Sequence, residues 1–174
     1  GPGSFTGLRI GLATAKAYGS VKNLPLSPLP TLDAMAIQIE NALDENSPSL
    51  TGILYSHRNF IHWAEYSRSK QNRKWVGDYH YGTLDHFLGQ FSGGQCFSPS
   101  VPQLTSLVGD SVFTRSILTT RADARSVAIL AERRWDDRIS DYSAIEPFYN
   151  TVYQARKWHP PSYNSNGPSG KSGH

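Results

Sequence analysis

The chain opens on Gly1-Pro2-Gly3-Ser4-Phe5-Thr6-Gly7-Leu8-Arg9-Ile10-Gly11, which runs into Leu12-Ala13-Thr14-Ala15-Lys16-Ala17-Tyr18, and no other segment constrains the fold as tightly. Three glycines and a proline among residues 1–7 demand a tight backbone loop. A helix is expected to follow over residues 5–19, with Ser4 or Thr6 capping its free amides and Gly19 ending it. Gly7, Gly11 and Ala15 recur every four residues and share one helical face. Such a row costs roughly 1 kcal/mol per glycine in helix propensity. The cost is offset if another helix must approach closely along that stripe.

A length of 174 residues suits one domain or two small ones. With 38% hydrophobic residues and a mean hydropathy of −0.45, a soluble globular chain with an ordinary core is expected. No window approaches the ~18 apolar residues of a membrane span, and without a charged-then-apolar opening pattern no signal peptide is expected. The lone Cys96 excludes an internal disulfide, suits a reducing cytosol and reads as a small buried hydrophobe. A net charge of +3 is only mildly basic, short of a nucleic-acid-binding tail.

Residues 20–30 carry too much proline for a helix and suit a short strand around Leu24–Leu26. Thr31 is the expected N-cap of a second helix over 32–43, with Leu32, Met35, Ala36, Ile39 and Leu43 on its apolar face. Asn46-Ser47-Pro48-Ser49 breaks that pattern and marks a domain boundary. Leu50–Ser56 and Phe60–Tyr66 read as a hairpin about His57-Arg58-Asn59, Lys70–Lys74 as a polar loop, and Trp75–Tyr81 as a third strand. Thr83–Phe91 reads as a short helix and Leu104–Val108 as a strand stopping at Gly109-Asp110. Ala122–Trp135 reads as a helix whose core face carries Val127, Leu130, Ala131 and Trp135, and Ser143–Tyr149 as a closing strand. From His159 onward the composition is that of a disordered tail.

The opening run, GPGSFTGLRIGLATAKAY, resembles the signature of the bacterial TsaB (YeaZ) family, subunits of the machinery that makes threonylcarbamoyladenosine beside the tRNA anticodon. Pro25 and Thr31-Leu32-Asp33-Ala34-Met35-Ala36 follow in register, similar to the family's Ser-Thr-Leu-Glu-Ala-Leu-Ala segment. Ile145-Glu146-Pro147-Phe148-Tyr149 resembles its closing Pro-x-Tyr strand. The likeness is strong over residues 1–36, loose in the middle and lost after about Tyr153. It implies an α/β, ribonuclease H-like fold of the actin-like ATPase (ASKHA) class. The first lobe would be N-terminally truncated and the second complete. Residues 1–46 would be the remainder of the first lobe, 47–153 the second, and 154–174 a disordered tail. Gly1–Ser4 also match the remnant of a cleaved tag, but they run straight into Phe5-Thr6-Gly7 as the family's own loop does and are read as native.

The resemblance further implies a non-catalytic dimerisation subunit in the cytoplasm, with no cofactor or metal of its own. Its partners would be a TsaD-like catalytic subunit and a TsaE-like ATPase. It would meet tRNA indirectly through the complex, and a homodimer is an alternative when the partner is missing. The expected partner surface is Gly7, Leu8, Gly11, Ala15, Tyr18 and Met35. His57, His62, His80, His86, His159 and His174 contain no H-x-x-x-H pair, the spacing that puts two ligands on one helix face and that TsaD relatives carry for metal. His57 and His62 are expected on an exposed hairpin.

Other motifs are weaker. The opening loop has glycine amides at a helix start, which attract anions, but its G-x-G-x-x-x-G spacing is followed by no Lys-Ser/Thr. Gly167-Pro168-Ser169-Gly170-Lys171-Ser172 mimics the end of a P-loop with Ser165 where its first glycine belongs. Gly109-Asp110-Ser111-Val112 resembles a lipase nucleophile turn and leaves a stand-alone Ser111 hydrolase as one alternative. An actin-like ATPase is the other, disfavoured because Asp110 would stand where backbone amides should meet phosphate. Arg68, Lys70, Arg73 and Lys74, beside Tyr66 and Trp75, could touch RNA, although a solvated loop is the commoner reading of such a run.

Overall fold

The computed structural model describes residues 1–40, 49–68, 75–109 and 117–150. Helix α1 (Phe5–Lys22) starts where the Ser4 hydroxyl accepts from the Gly7 amide at 3.3 Å, which makes Ser4 the N-cap. It runs past the expected end at Gly19, and Asn23, at φ 53°, provides the left-handed cap. Gly19 answers a need for space instead. A Cβ there would lie 3.1 Å from the Leu24 carbonyl oxygen and 3.3 Å from the Tyr142 ring. The strand expected near Leu24–Leu26 reduces to one bridge, Leu26 to Ile139, with Leu24 exposed. In α2 (Thr31–Ile39) Thr31 is the first helical residue rather than the cap, and the capping position falls to Pro30, whose fixed φ suits it. Leu43 and residues 46–48 of the expected boundary lie outside the described residues.

The hairpin forms as β1 (Ser49–His57) and β2 (Phe60–Arg68), turning at Arg58 with φ 54°. β3 (Trp75–Thr83) pairs antiparallel with β2, and Thr83 caps α3 (Leu84–Gln90). β4 (Gln95–Ser98) and β5 (Ile117–Thr119) add in parallel, giving a five-stranded mixed sheet of order β3-β2-β1-β4-β5. Leu104–Val108, expected as a strand, is the second half of helix α4 (Val101–Val108). Val101, Leu104 and Val108 fall at helical spacing, and Pro102 sits in the first turn, where its missing amide costs nothing. The parallel strand of this region is β4, an apolar pair, Cys96 and Phe97, too short to show a period.

Helix α5 (Ala124–Arg133) is capped by Asp123, whose carboxylate accepts from the Ser126 amide at 2.7 Å. Its core face is narrower than expected. Leu130 is buried and Ala131 half-buried, but Val127 and Trp135 are exposed, Trp135 lying in a 3-10 turn past the helix end. Nor is Ser143–Tyr149 a strand. It is a 3-10 turn (Tyr142–Ala144) followed by irregular chain, in which Pro147 offers no amide to a ladder.

One face of the sheet packs under α2, where Leu32, Met35, Ala36 and Ile39 meet Leu50, Ala64, Tyr66 and Phe97. Gly52 permits this approach, since a Cβ there would lie 2.9 Å from the Leu32 side chain. The opposite face packs Ile53, Ile61, Trp63 and Cys96 under Leu84 and Phe87 of α3 and Leu104 of α4. No residue of α1 belongs to either core.

Candidate functional site

α1 lies against the body along Leu8, Leu12, Ala15 and Gly19, of which only Gly19 is buried. The expected partner residues therefore divide. Leu8 and Ala15 are half-buried, whereas Gly7, Gly11 and Tyr18 face outward, and a Cβ on Gly11 would meet nothing within 4 Å. Ile10 and Val21 add exposed apolar area, 62% and 82% accessible. Met35 does not belong to this surface. It is 1% exposed and packs in the core under α2, because its place in the Leu32-Met35-Ala36-Ile39 stripe turns it to the sheet. Of the basic cluster, Arg68 ends β2 opposite Trp75, and Lys70, Arg73 and Lys74 lie outside the described residues, as do Asp110, Ser111 and residues 159–174.

The N-terminal end of α1 opens on a cavity of about 530 Å³ beyond the carboxyl end of β1. Pro2, Gly3, Ser4 and Phe5 form one wall, Leu54 to His57 another, and His62, Tyr81, Tyr149 and Thr31 complete it. Two ring pairs contribute: Phe5 stacks on Tyr149 at 5.0 Å, and His62 leans on Tyr81 at 4.7 Å. Tyr149 is fixed by Arg9, whose Nε donates to its hydroxyl at 3.1 Å while its guanidinium covers Phe5 at 4.4 Å. Asn150 next to it donates to the His80 carbonyl at 2.7 Å. The segment expected to close the sheet as a strand thus ties α1 to β3 through side chains.

His57 is exposed as expected, but His62 is 7% exposed, because β2 places it between Leu54 and Tyr81 on the covered face. Burial lowers its pKa from 6.5 to about 4, opposed by a backbone hydrogen bond at Asn150 and aided by His57. The ring is neutral at pH 7, and its Nδ1 has no hydrogen-bond partner among the described residues.

A second polar centre lies in the core. Asp33 is 3% exposed and accepts from the hydroxyl of Tyr66 at 2.8 Å and from that of Tyr79; Arg134 pairs with its other oxygen at 2.7 Å. Burial, then the Asp33 charge, pushes the Tyr66 hydroxyl far above its ordinary pKa; burial and the bond to Asp33 do the same to Tyr79. Two donors that stay protonated bond Oδ1, and the Arg134 guanidinium pairs ionically with Oδ2, so the cluster fastens α2 to β2, β3 and the end of α5. A carboxylate between Leu32 and Ala34 in an apolar stripe was the signal available in the sequence for this cluster. Its partners, on three other elements, had none. Cys96 is fully buried, its thiol pushed up to about 12. Among the described residues no three His, Cys, Asp or Glu side chains are grouped to hold a metal ion.

The model of the family described as "TsaD: tRNA N6-adenosine threonylcarbamoyltransferase" matches residues 1–128. The tRNA threonylcarbamoyladenosine biosynthesis protein TsaB of Escherichia coli (strain K12) is 34% identical over 79 residues, 45% of this chain and 32% of that protein. TsaB of Buchnera aphidicola is 28% identical over 79 residues, 45% of this chain and 34% of that protein. The matches thus span about a third of the length of these curated relatives. The solved structure of YeaZ from Pseudomonas aeruginosa superposes with a TM-score of 0.66 at 14% identity, over 86% of this chain and 70% of that one. That likeness is one of fold.

Proposed function

Because the chain belongs to the TsaD family of tRNA N6-adenosine threonylcarbamoyltransferase proteins and resembles its TsaB (YeaZ) members, we propose that it serves as a non-catalytic subunit of threonylcarbamoyladenosine synthesis. Its task is to dimerise with and support a TsaD-like threonylcarbamoyltransferase in the cytoplasm. A TsaE-like ATPase is the third component, and tRNA is met through the complex. The sheet β3-β2-β1-β4-β5 is read as the second ribonuclease H-like lobe, and α1 and α2 as what this chain holds of the first.

One observation carries this reading: α1 is an 18-residue helix with a single buried residue, and its outer face offers Gly7, Gly11, Tyr18 and exposed apolar side chains. A helix of that length gains most of its stability from tertiary packing, so a bare face calls for a partner. Co-expression with a TsaD-like protein tests it. The expected result is co-purification and, once a TsaE-like ATPase and tRNA are added, threonylcarbamoyladenosine formation that stops when this chain is left out. Modification at full rate without the chain would overturn the reading.

A further inference from the structure

The two edges of the sheet are unlike. β5 ends it with three residues, Ile117–Thr119, whereas β3 ends it with nine, Trp75–Thr83, paired to β2 along their whole length without a register shift. A long edge is a template for another strand, and folds blunt it with lysine, proline, a bulge or a covering segment. β3 contains no lysine, proline or bulge. Among the described residues one hydrogen bond reaches its outer side, from the Asn150 amide to the His80 carbonyl at 2.7 Å.

That bond also reveals which groups face outward. The His80 carbonyl points away from β2, and backbone groups alternate along an antiparallel strand, so Asp78 and Gly82 turn theirs outward as well. A second copy pairing about a twofold axis must set outward residues against outward residues. An axis through Asp78 or through His80 brings that residue onto its own copy, like against like. An axis through Gly77 or Tyr81 pairs neither with the other. An axis through Tyr79 sets Asp78 opposite His80 of the second copy, and His80 opposite its Asp78, a carboxylate against an imidazole on both sides. Tyr79 is the midpoint of Trp75–Thr83, so in this register the whole of β3 is paired. Asp78 and His80 share a face of the strand, 3.4 Å apart, with side chains 83% and 35% exposed. Phe148, 39% exposed and edge-on to the Tyr79 ring at 5.3 Å, adds apolar surface beside the axis.

We propose that β3 pairs antiparallel with β3 of a second copy about a twofold axis at Tyr79, joining the two sheets into one. Asn150 releases the His80 carbonyl as the second strand arrives. The contact uses no residue of α1, so it goes beyond the subunit reading and does not rest on it.

Sedimentation equilibrium of the full chain, together with disulfide trapping, tests it. A dimer with Kd below about 100 μM is expected. Asp78→Lys, which sets a lysine against the imidazole, should raise that Kd at least about tenfold, whereas Gly11→Leu on α1 should leave it within about twofold. Asp78→Cys and His80→Cys chains, mixed and oxidised, should form a mixed disulfide, since facing residues of a hydrogen-bonded pair lie about 5.5 Å apart at Cα. Either variant alone should give at least about tenfold less, because its cysteines then fall on the diagonal, about 7–8 Å apart. Cys96 is buried and does not compete. Trapping reports the register even if Asp78→Lys misfolds. A chain still monomeric at about 1 mM, a mixed disulfide no more abundant than in the separate variants, or a dimer lost in Gly11→Leu and kept in Asp78→Lys would each overturn the proposal. So would a dimer that forms only after residues 151–174 are removed, because the chain would then cover its own edge. Asp78→Lys abolishing co-purification with a TsaD-like protein, while the chain alone stays monomeric, would assign the edge to that partner and overturn it too.

Discussion

α1 and α2 are neighbours in sequence and opposites in environment. α1 is 18 residues long and buries only Gly19, whereas α2 is nine residues long and buries Leu32, Asp33, Ala34, Met35, Ala36 and Ile39. Each carries a stripe at helical spacing, small residues on α1 and Leu32, Met35, Ala36 and Ile39 on α2, and either stripe can meet a packed surface. What separates them is the surface opposite. Gly52 and the Leu50–Phe97 floor of the sheet accept α2 at close range, while nothing described here lies opposite Gly11. A stripe of small residues states that a close approach is allowed, and whether the chain itself supplies the approaching surface is decided elsewhere.

The contrast can be broken most forcefully at Asp33. Asp33→Ala leaves Arg134 and two tyrosine hydroxyls without their shared acceptor, and removing one partner of a buried pair costs about 3–5 kcal/mol. Urea unfolding should show a loss of that size, and a change below about 1 kcal/mol would mean that the cluster does not fasten α2. Met35→Ala, a cavity in the same core, should cost about 2–5 kcal/mol. Ile10→Ala on α1 should stay within about 0.5 kcal/mol, so equal effects at the two sites would erase the distinction between the helices.

A smaller effect depends on pH. His62 is held neutral in the fold, with its pKa lowered from 6.5 to about 4, so the unfolded chain takes up its proton first as the medium is acidified. Its contribution is complete above pH 6.5 and is lost as pH falls toward 4, by at most about 3 kcal/mol. His62→Phe should flatten the stability profile between those limits, and an unchanged profile would show the ring to be solvated. Gly11→Leu should stabilise the isolated chain by roughly 1 kcal/mol, the helix propensity that a mid-helix glycine forgoes, since a Cβ there meets nothing within 4 Å. The same change should introduce overpacking of about 1–3 kcal/mol at a contact with a TsaD-like partner. Undiminished co-purification by the folded variant would move the partner surface away from α1.

The sequence was legible wherever the signal was local. Ser4 ahead of a helix, the hairpin turning at His57-Arg58-Asn59, the third strand and the short helix after Thr83 follow from periodicity and capping chemistry that a few adjacent residues contain. The apolar face of α2 follows as well, at Leu32, Met35, Ala36 and Ile39. Leu104–Val108 was misleading because a five-residue apolar run satisfies helix and strand alike, and only the parallel pairing of β4 with β1 and β5 settles which segment enters the sheet. Ser143–Tyr149 carried strand-like residues, but β3 receives Asn150 through its side chain and not a ladder.

The sites divide in the same way. The opening loop and the stripe on α1 were written in consecutive residues. The Asp33–Tyr66–Tyr79–Arg134 cluster and the cavity that joins Gly3 to His62, Tyr81 and Tyr149 were not. Their members come from elements far apart in the chain, and each is a commonplace residue in its local setting. A buried carboxylate or a neutral histidine acquires its chemistry from the groups that exclude water around it, and burial is a property of the assembled sheet and helices, not of any stretch of sequence.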